Sequence, residues 1–297
     1  MTHPLAPFPF VSQRMFNRAH LIMPEKAQML MAALAGRLGI ARLDITDRNG
    51  VRTLAADDMV AMIDDLDAEP ARYRGYDVHD GVAVIPVEGT LVNKLGTLRP
   101  WSGMTGYDGL RVCFLNALAD AEVKAICFDM NSPGGEVSGC FDLVDLIASA
   151  AGTKPVWAIL DDMACSACYA LASACDRIVL PRTGYAGSIG VCCMHVDYST
   201  YLQNEGIAVT LIHAGAHKVD GNPYEALPAS VRKDMQTEID KVYQLFVDTV
   251  SANRSLAAEK VRATEARVFM GQDAVSAGLA DAVQAPDEAF ADLVASL

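Results

Sequence analysis

Ser166 lies in a run of small residues, Ala164-Cys165-Ser166-Ala167-Cys168-Tyr169-Ala170-Leu171-Ala172-Ser173-Ala174. The preceding Lys154-Pro155-Val156-Trp157-Ala158-Ile159-Leu160 has the apolar character of a buried strand, and the run itself continues as a helix. A serine at such a junction exposes its hydroxyl beside N–H groups that have no partner inside the helix. That setting suits a nucleophile whose product carries an oxyanion. Small-residue helix starts are common, so the serine gains meaning only with a base and an oxyanion site.

Two other turns offer such groups. Asn131-Ser132-Pro133-Gly134-Gly135 follows a strand and precedes a helix. Its two glycines let backbone N–H groups turn outward with no side chain in the way, a shape that holds an oxyanion or a phosphate. The absence of Gly-Lys-Ser/Thr excludes a P-loop. Gly187-Ser188-Ile189-Gly190-Val191 enters a strand, where Ser188 either caps backbone or hydrogen-bonds a neutral amine.

The base is open between two residue types. His213 precedes a predicted loop, Ala214 to Pro223, and His217 and Lys218 lie inside it. A histidine titrates near the working pH. A lysine must first lose its proton, which from about 10.4 to pH 7 costs roughly 4–5 kcal/mol. Only a desolvated site supplies that.

The elements that must carry these groups alternate. Strands are expected at 82–87, 123–130, 155–160, 176–180, 189–196 and 207–212. Helices are expected at 108–121, 136–151, 166–174, 198–205 and 228–253, with two shorter ones in 256–284. This alternation predicts an α/β fold with a mainly parallel sheet covered by helices. Residues 1–80 read as a short, mainly helical extension, with helices at 24–38 and 57–66. Residues 81–285 form the main domain, and 286–297 a tail.

Composition narrows the classes. Of 297 residues 52% are hydrophobic, so a sizeable core is expected. The net charge of −13 argues against a general nucleic-acid binder, which needs a basic face. No stretch reaches the length of a membrane span. Prolines at positions 4, 7 and 9 interrupt the region where an export signal needs an apolar run. The eight cysteines lie mostly in apolar segments, as small buried hydrophobes do. Cys165 and Cys168 have the spacing of a redox pair. The adjacent Cys192 and Cys193 do not supply the second close pair that a zinc site needs.

The ordered set Ser132-Pro133-Gly134-Gly135, Ser166, Gly187-Ser188-Ile189-Gly190-Val191 and Gly215-Ala216-His217-Lys218 resembles the signal peptide peptidase A (SppA) family of serine–lysine peptidases, which have the ClpP/crotonase fold of repeated β-β-α units. Three further pieces, Ala33 to Ile40, Ser102 to Tyr107 and His217 to Tyr224, resemble the branch that serves capsid assembly in lambda-like phages. The resemblance implies a serine endopeptidase with Ser166 as nucleophile and Lys218 as general base. Ser188 would position the lysine, and the N–H groups of Gly135 and Ala167 would form the oxyanion hole. It implies no metal and no cofactor. It also implies a homo-oligomer in which serine and lysine can come from neighbouring chains. The implied substrates are scaffold, portal or head proteins, met in the host cytoplasm or inside the procapsid, without nucleic-acid or membrane binding. Many bacterial relatives have two glycines after the nucleophile, where this chain has Ala167 and Cys168. Two other classes share the fold: a crotonase-type acyl-CoA enzyme, for which Glu136 beside Gly135 is the candidate acid, and a non-catalytic structural protein of the capsid interior.

Overall fold

A computed structural model describes residues 19–22, 43–47, 50–54, 75–95 and 103–297, the first three segments as backbone strands only. The strands are β1 (Ala19–Ile22), β2 (Leu43–Asp47), β3 (Gly50–Leu54), β4 (Asp77–His79), β5 (Val82–Val92), β6 (Met104–Gly106), β7 (Ala125–Glu136), β8 (Val156–Cys165), β9 (Arg177–Leu180), β10 (Tyr185–Gly187), β11 (Cys192–Cys193), β12 (Val268–Met270) and β13 (Ala282–Val283). The helices are α1 (Tyr107–Ala119), α2 (Cys140–Ser149), α3 (Ala167–Ser173), α4 (Ser199–Asn204), α5 (Ala229–Arg254), α6 (Ala258–Arg262), α7 (Gln272–Ala277) and α8 (Pro286–Ala295).

The sheet is built on the parallel neighbours β5, β7, β8, β9 and β13. Alternate residues of these strands face opposite sides, as a two-residue period requires. Ala83, Ile85 and Val87, Ile126, Phe128 and Met130, and Val156, Ala158 and Leu160 point into the larger core, under α1, α2, α3 and α5. Val82, Ala125, Cys127, Ile159 and Val179 point the other way, where Ala289 and Leu293 of α8 cover them. Burial on both faces explains why these strands read as unbroken apolar runs. The expected tail is thus a helix that closes the second face of the sheet.

At their C-terminal ends the strands separate. β7 and β8 pair up to Ser132 opposite Ala164, after a register shift. On its other edge the end of β8, Met163 to Cys165, pairs parallel with β10, which pairs antiparallel with β12. The end of β7, Gly134–Glu136, pairs instead with β1, and β1 pairs on its other side with β11. The ends of strands and the turns that leave them therefore surround one region, the usual place for a site in an α/β sheet.

Several expectations change. Asn131–Gly135 is not a strand-to-helix turn: β7 runs on through Glu136, because β5 on one side and β1 on the other supply ladder partners. The helix after it starts at Cys140, where Gly139 takes a left-handed φ of 87°. The strand expected at 189–196 shrinks to Cys192–Cys193, with β10 forming earlier at Tyr185–Gly187. Residues 207–212 form no strand. Ile207, Val209 and Ile212 are exposed, and no strand among the described residues offers hydrogen bonds there. The described parts of the N-terminal extension are strands, including the hairpin β2–β3. The helices expected at 24–38 and 57–66 lie outside the described residues, as does the resemblance segment Ala33 to Ile40. Among the described residues no helix is long and apolar enough to cross a membrane.

Candidate active site

Ser166 caps α3 at the end of β8, with φ 55° and ψ −119°. A side chain at positive φ outside a helix turn costs on the order of 1–3 kcal/mol, and such strain gathers at functional positions. Two backbone hydrogen bonds hold it. The Ser166 N–H donates to the Gly187 carbonyl at 2.8 Å, and the Ala170 N–H donates to the Ser166 carbonyl at 3.0 Å. Ala164 and Ala167 on either side are fully buried, so only small residues fit the bend. The hydroxyl oxygen itself is buried and has no hydrogen-bond partner among the described residues. A buried hydroxyl without a partner costs about 1–3 kcal/mol. The chain thus keeps a buried hydroxyl oxygen on a strained turn, at the N-terminus of a helix whose first N–H groups lack partners within it.

Gly187, which holds Ser166, has φ 123°, and a side chain there would press on the Arg267 carbonyl oxygen at 2.7 Å. Ser188 follows at φ 54°, buried, with its N–H donating to that same carbonyl at 3.0 Å. Two consecutive left-handed residues turn the backbone beside the Ser166 elbow, and this places Ser188 next to the residue that anchors it.

Gly135 lies on the other wall. It stands opposite Leu91 of β5 and Leu21 of β1. A Cβ at Gly135 would fall on the Leu91 carbonyl oxygen, so the close approach of β5 demands glycine. Ser132 supports this wall in a way the sequence left unassigned. Its hydroxyl donates to the Gly89 carbonyl at 2.6 Å and accepts from the Gly134 N–H at 3.2 Å. It therefore ties the irregular step of β5 between Glu88 and Thr90 to the glycine pair. The serine two residues before a glycine was the available signal.

Lys218 makes no hydrogen bond to the Ser166 hydroxyl in this chain. It sits in an exposed turn, its N–H donating to Gly215 at 3.2 Å, whereas the Ser166 hydroxyl is buried without a partner. The neighbouring His217 bonds Asp220 through Nδ1 at 2.7 Å, and this bond with the aspartate charge raises its pKa. His213 Nδ1 lies 3.1 Å from the Gly215 carbonyl. Both histidines are exposed. The segment that carries all three, after β11, also exposes Tyr201, Ile207, Val209 and Tyr224, and Ile212 is 95% exposed.

The remaining candidates take other roles. The Glu136 carboxylate accepts the Asn93 N–H at 2.8 Å, which spends it on backbone. Cys165 and Cys168 are fully buried, and burial pushes the Cys168 thiol far up, opposite to the lowered values of reactive pairs. Burial likewise pushes Cys113, Cys127 and Cys140 up to about 12. Among the described residues no group of histidines, cysteines and carboxylates is arranged to hold a metal ion.

Residues 148–296 match peptidase family S49. The chain is 44% identical over 285 residues to the head-tail preconnector protein of Enterobacteria phage P21, covering 95% of this chain and 56% of that protein. It is 43% identical over 283 residues to capsid assembly protease C of Escherichia phage lambda, covering 95% of this chain and 64% of that protein. To protease 4 of Haemophilus influenzae it is 27% identical over 237 residues, 78% of this chain and 37% of that protein. The chain thus spans between half and two thirds of the length of the two phage relatives. Ser166, α3, Gly187, Ser188 and Lys218 all fall inside the matched region, and the chain belongs to peptidase family S49.

Proposed function

We propose that the chain is a serine endopeptidase that works through an acyl-enzyme and processes proteins during phage procapsid maturation. The observation that carries the reading is the Ser166 hydroxyl: buried, unpaired and held on a strained turn at the start of α3. An oxygen kept in that state at a cost is explained by a partner that arrives with the substrate or the assembly.

The mechanism assigns each residue one task. Ser166 Oγ attacks the scissile carbonyl carbon while its proton passes to the neutral Lys218 Nζ. The oxyanion accepts hydrogen bonds from the Gly135 and Ala167 N–H groups. The C–N bond breaks, and the leaving amine takes the proton from Lys218. Water, losing a proton to Lys218, then attacks the ester carbonyl; the ester C–O bond breaks, the Ser166 oxygen takes that proton back from Lys218, and the new carboxyl end is released. Ser188 orients the lysine. The irregular wall tied by Ser132 fixes the Gly135 end of the hole.

The lysine comes from a neighbouring copy in this reading. A lysine acts as base only when burial strips solvent from its ammonium form. Lys218 is exposed in one chain, on a segment whose apolar residues are exposed with it. Packing that segment on a second copy covers the apolar surface and buries the amine in one step. Capsid assembly as the setting is supported by the phage relatives named above, with scaffold, portal or head proteins as substrates and the procapsid interior as the place. The main domain spans 81–285, with 1–80 as its extension.

A fluorophosphonate probe tests the assignment. Intact mass should show one adduct per chain, mapped to Ser166, absent in Ser166→Ala and strongly slowed in Lys218→Ala. Equal labelling of the wild type and Lys218→Ala would remove the lysine from the mechanism. No adduct on the assembled wild type would remove the serine.

A further inference from the structure

The strand β1 belongs to the N-terminal segment, yet it lies at the candidate active site. Its register sets His20 opposite Glu136, Leu21 opposite Gly135 and Ile22 opposite Gly134. On the other side Ala19 stands opposite Cys193 and His20 opposite Cys192. Both pairings are antiparallel. The walls of this channel are therefore the end of β7, which carries the proposed oxyanion donor, and β11, which follows the Ser188 turn by four residues. Strands that flank a third stand about 9–10 Å apart, the width of one extended chain.

Past Ser132 the end of β7 no longer pairs with β8, and this open edge is the one that β1 takes. Such an edge takes up any extended peptide, because backbone hydrogen bonds supply the affinity with little demand on sequence. We infer that Ala19–Ile22 is a resident peptide ligand of this channel: it occupies, as a strand antiparallel to both walls, the place of an extended peptide substrate, which must displace it to reach Ser166. The inference rests on the peptidase reading for what it blocks, though not for the occupancy itself. A four-residue strand binds weakly, but tethering gives it an effective concentration on the order of millimolar. Occupancy of that kind raises the apparent KM for an external peptide by about 2–10-fold and leaves kcat alone, since the displaced segment takes no part in the chemistry.

The test is Leu21→Pro in the full chain, since proline removes the ladder N–H at the register position opposite Gly135. For a fluorogenic peptide the variant should show a KM about 2–10-fold lower with kcat within twofold of wild type. A synthetic peptide of residues 17–24 should inhibit Leu21→Pro competitively and the wild type less. In a Ser166→Ala background, amide hydrogen exchange at Gly134–Glu136 and Cys192–Cys193 should speed up on Leu21→Pro. Unchanged KM with unchanged exchange overturns the inference. So does a fall in kcat together with a fall in thermal midpoint, which marks β1 as an ordinary structural strand. If no variant turns over peptide at all, the peptidase reading fails, while exchange and binding of the 17–24 peptide still decide occupancy.

Discussion

Mixing two inactive variants tests the shared site directly. Ser166→Ala keeps Lys218, and Lys218→Ala keeps Ser166. Each alone should retain less than about a thousandth of wild-type turnover, because groups that act as one unit fail together. The structure sets what a mixture does. Ser166 is buried and Lys218 exposed in the same chain, and in the proposed arrangement the serine of one copy works with the lysine of the next. In a ring of head-to-tail contacts each interface holds one serine and one lysine. Random equal mixing makes both intact at about one interface in four, so co-expressed and co-purified variants should recover about 25% of wild-type activity. The assay is peptide turnover by doubly tagged oligomers, with subunit exchange checked by mass. If the dyad closed within one chain, no mixed oligomer would contain a complete site. Recovery no greater than either parent, from oligomers shown to contain both variants, would refute the reasoning.

Other outcomes follow from particular contacts. Gly135→Ala keeps its N–H, but its Cβ would fall on the Leu91 backbone, so β5 and β7 must part and the N–H leaves its place; kcat should then fall by up to about 10²–10³, or roughly 3–4 kcal/mol, the cost of one lost oxyanion donor. A kcat within threefold of wild type, with the fold checked by circular dichroism, would take Gly135 out of the hole. Asp129 has its pKa raised by burial, then by the Asp161 and Glu88 charges. The folded state therefore holds this proton more tightly than the unfolded one, and stability from this group falls as pH rises through the folded value. Asp129→Asn should raise the thermal midpoint at pH 7 by about 1–3 °C, with the gain fading below about pH 4. Alkylation at pH 8 should modify Cys192, which is exposed, and leave Cys165 and Cys168 untouched until unfolding. Peptide mass mapping that found the buried pair modified first would restore a redox role.

The strand–helix alternation and the place of Ser166 were legible because both depend on neighbours in sequence. Doubly buried strands must be apolar throughout, and a helix that starts among alanines leaves room for a serine at a positive φ. The family pattern singled out Lys218, but no local feature of its loop tells whether its amine is dry. Residues 207–212 read as a strand and yet pair with no strand among the described residues, because a strand exists only where an edge receives it. The motif 131–135 reads locally as a turn and becomes strand because β5 and β1 reach it from 40 or more residues away. Most of all, the channel beside Gly135 joins residues near positions 20, 135 and 192. Side-chain periodicity records which face of an element is buried and says nothing about which edge meets which, since backbone hydrogen bonds carry no sequence label. Local chemistry was therefore decided by the sequence, and the company each group keeps by the tertiary structure.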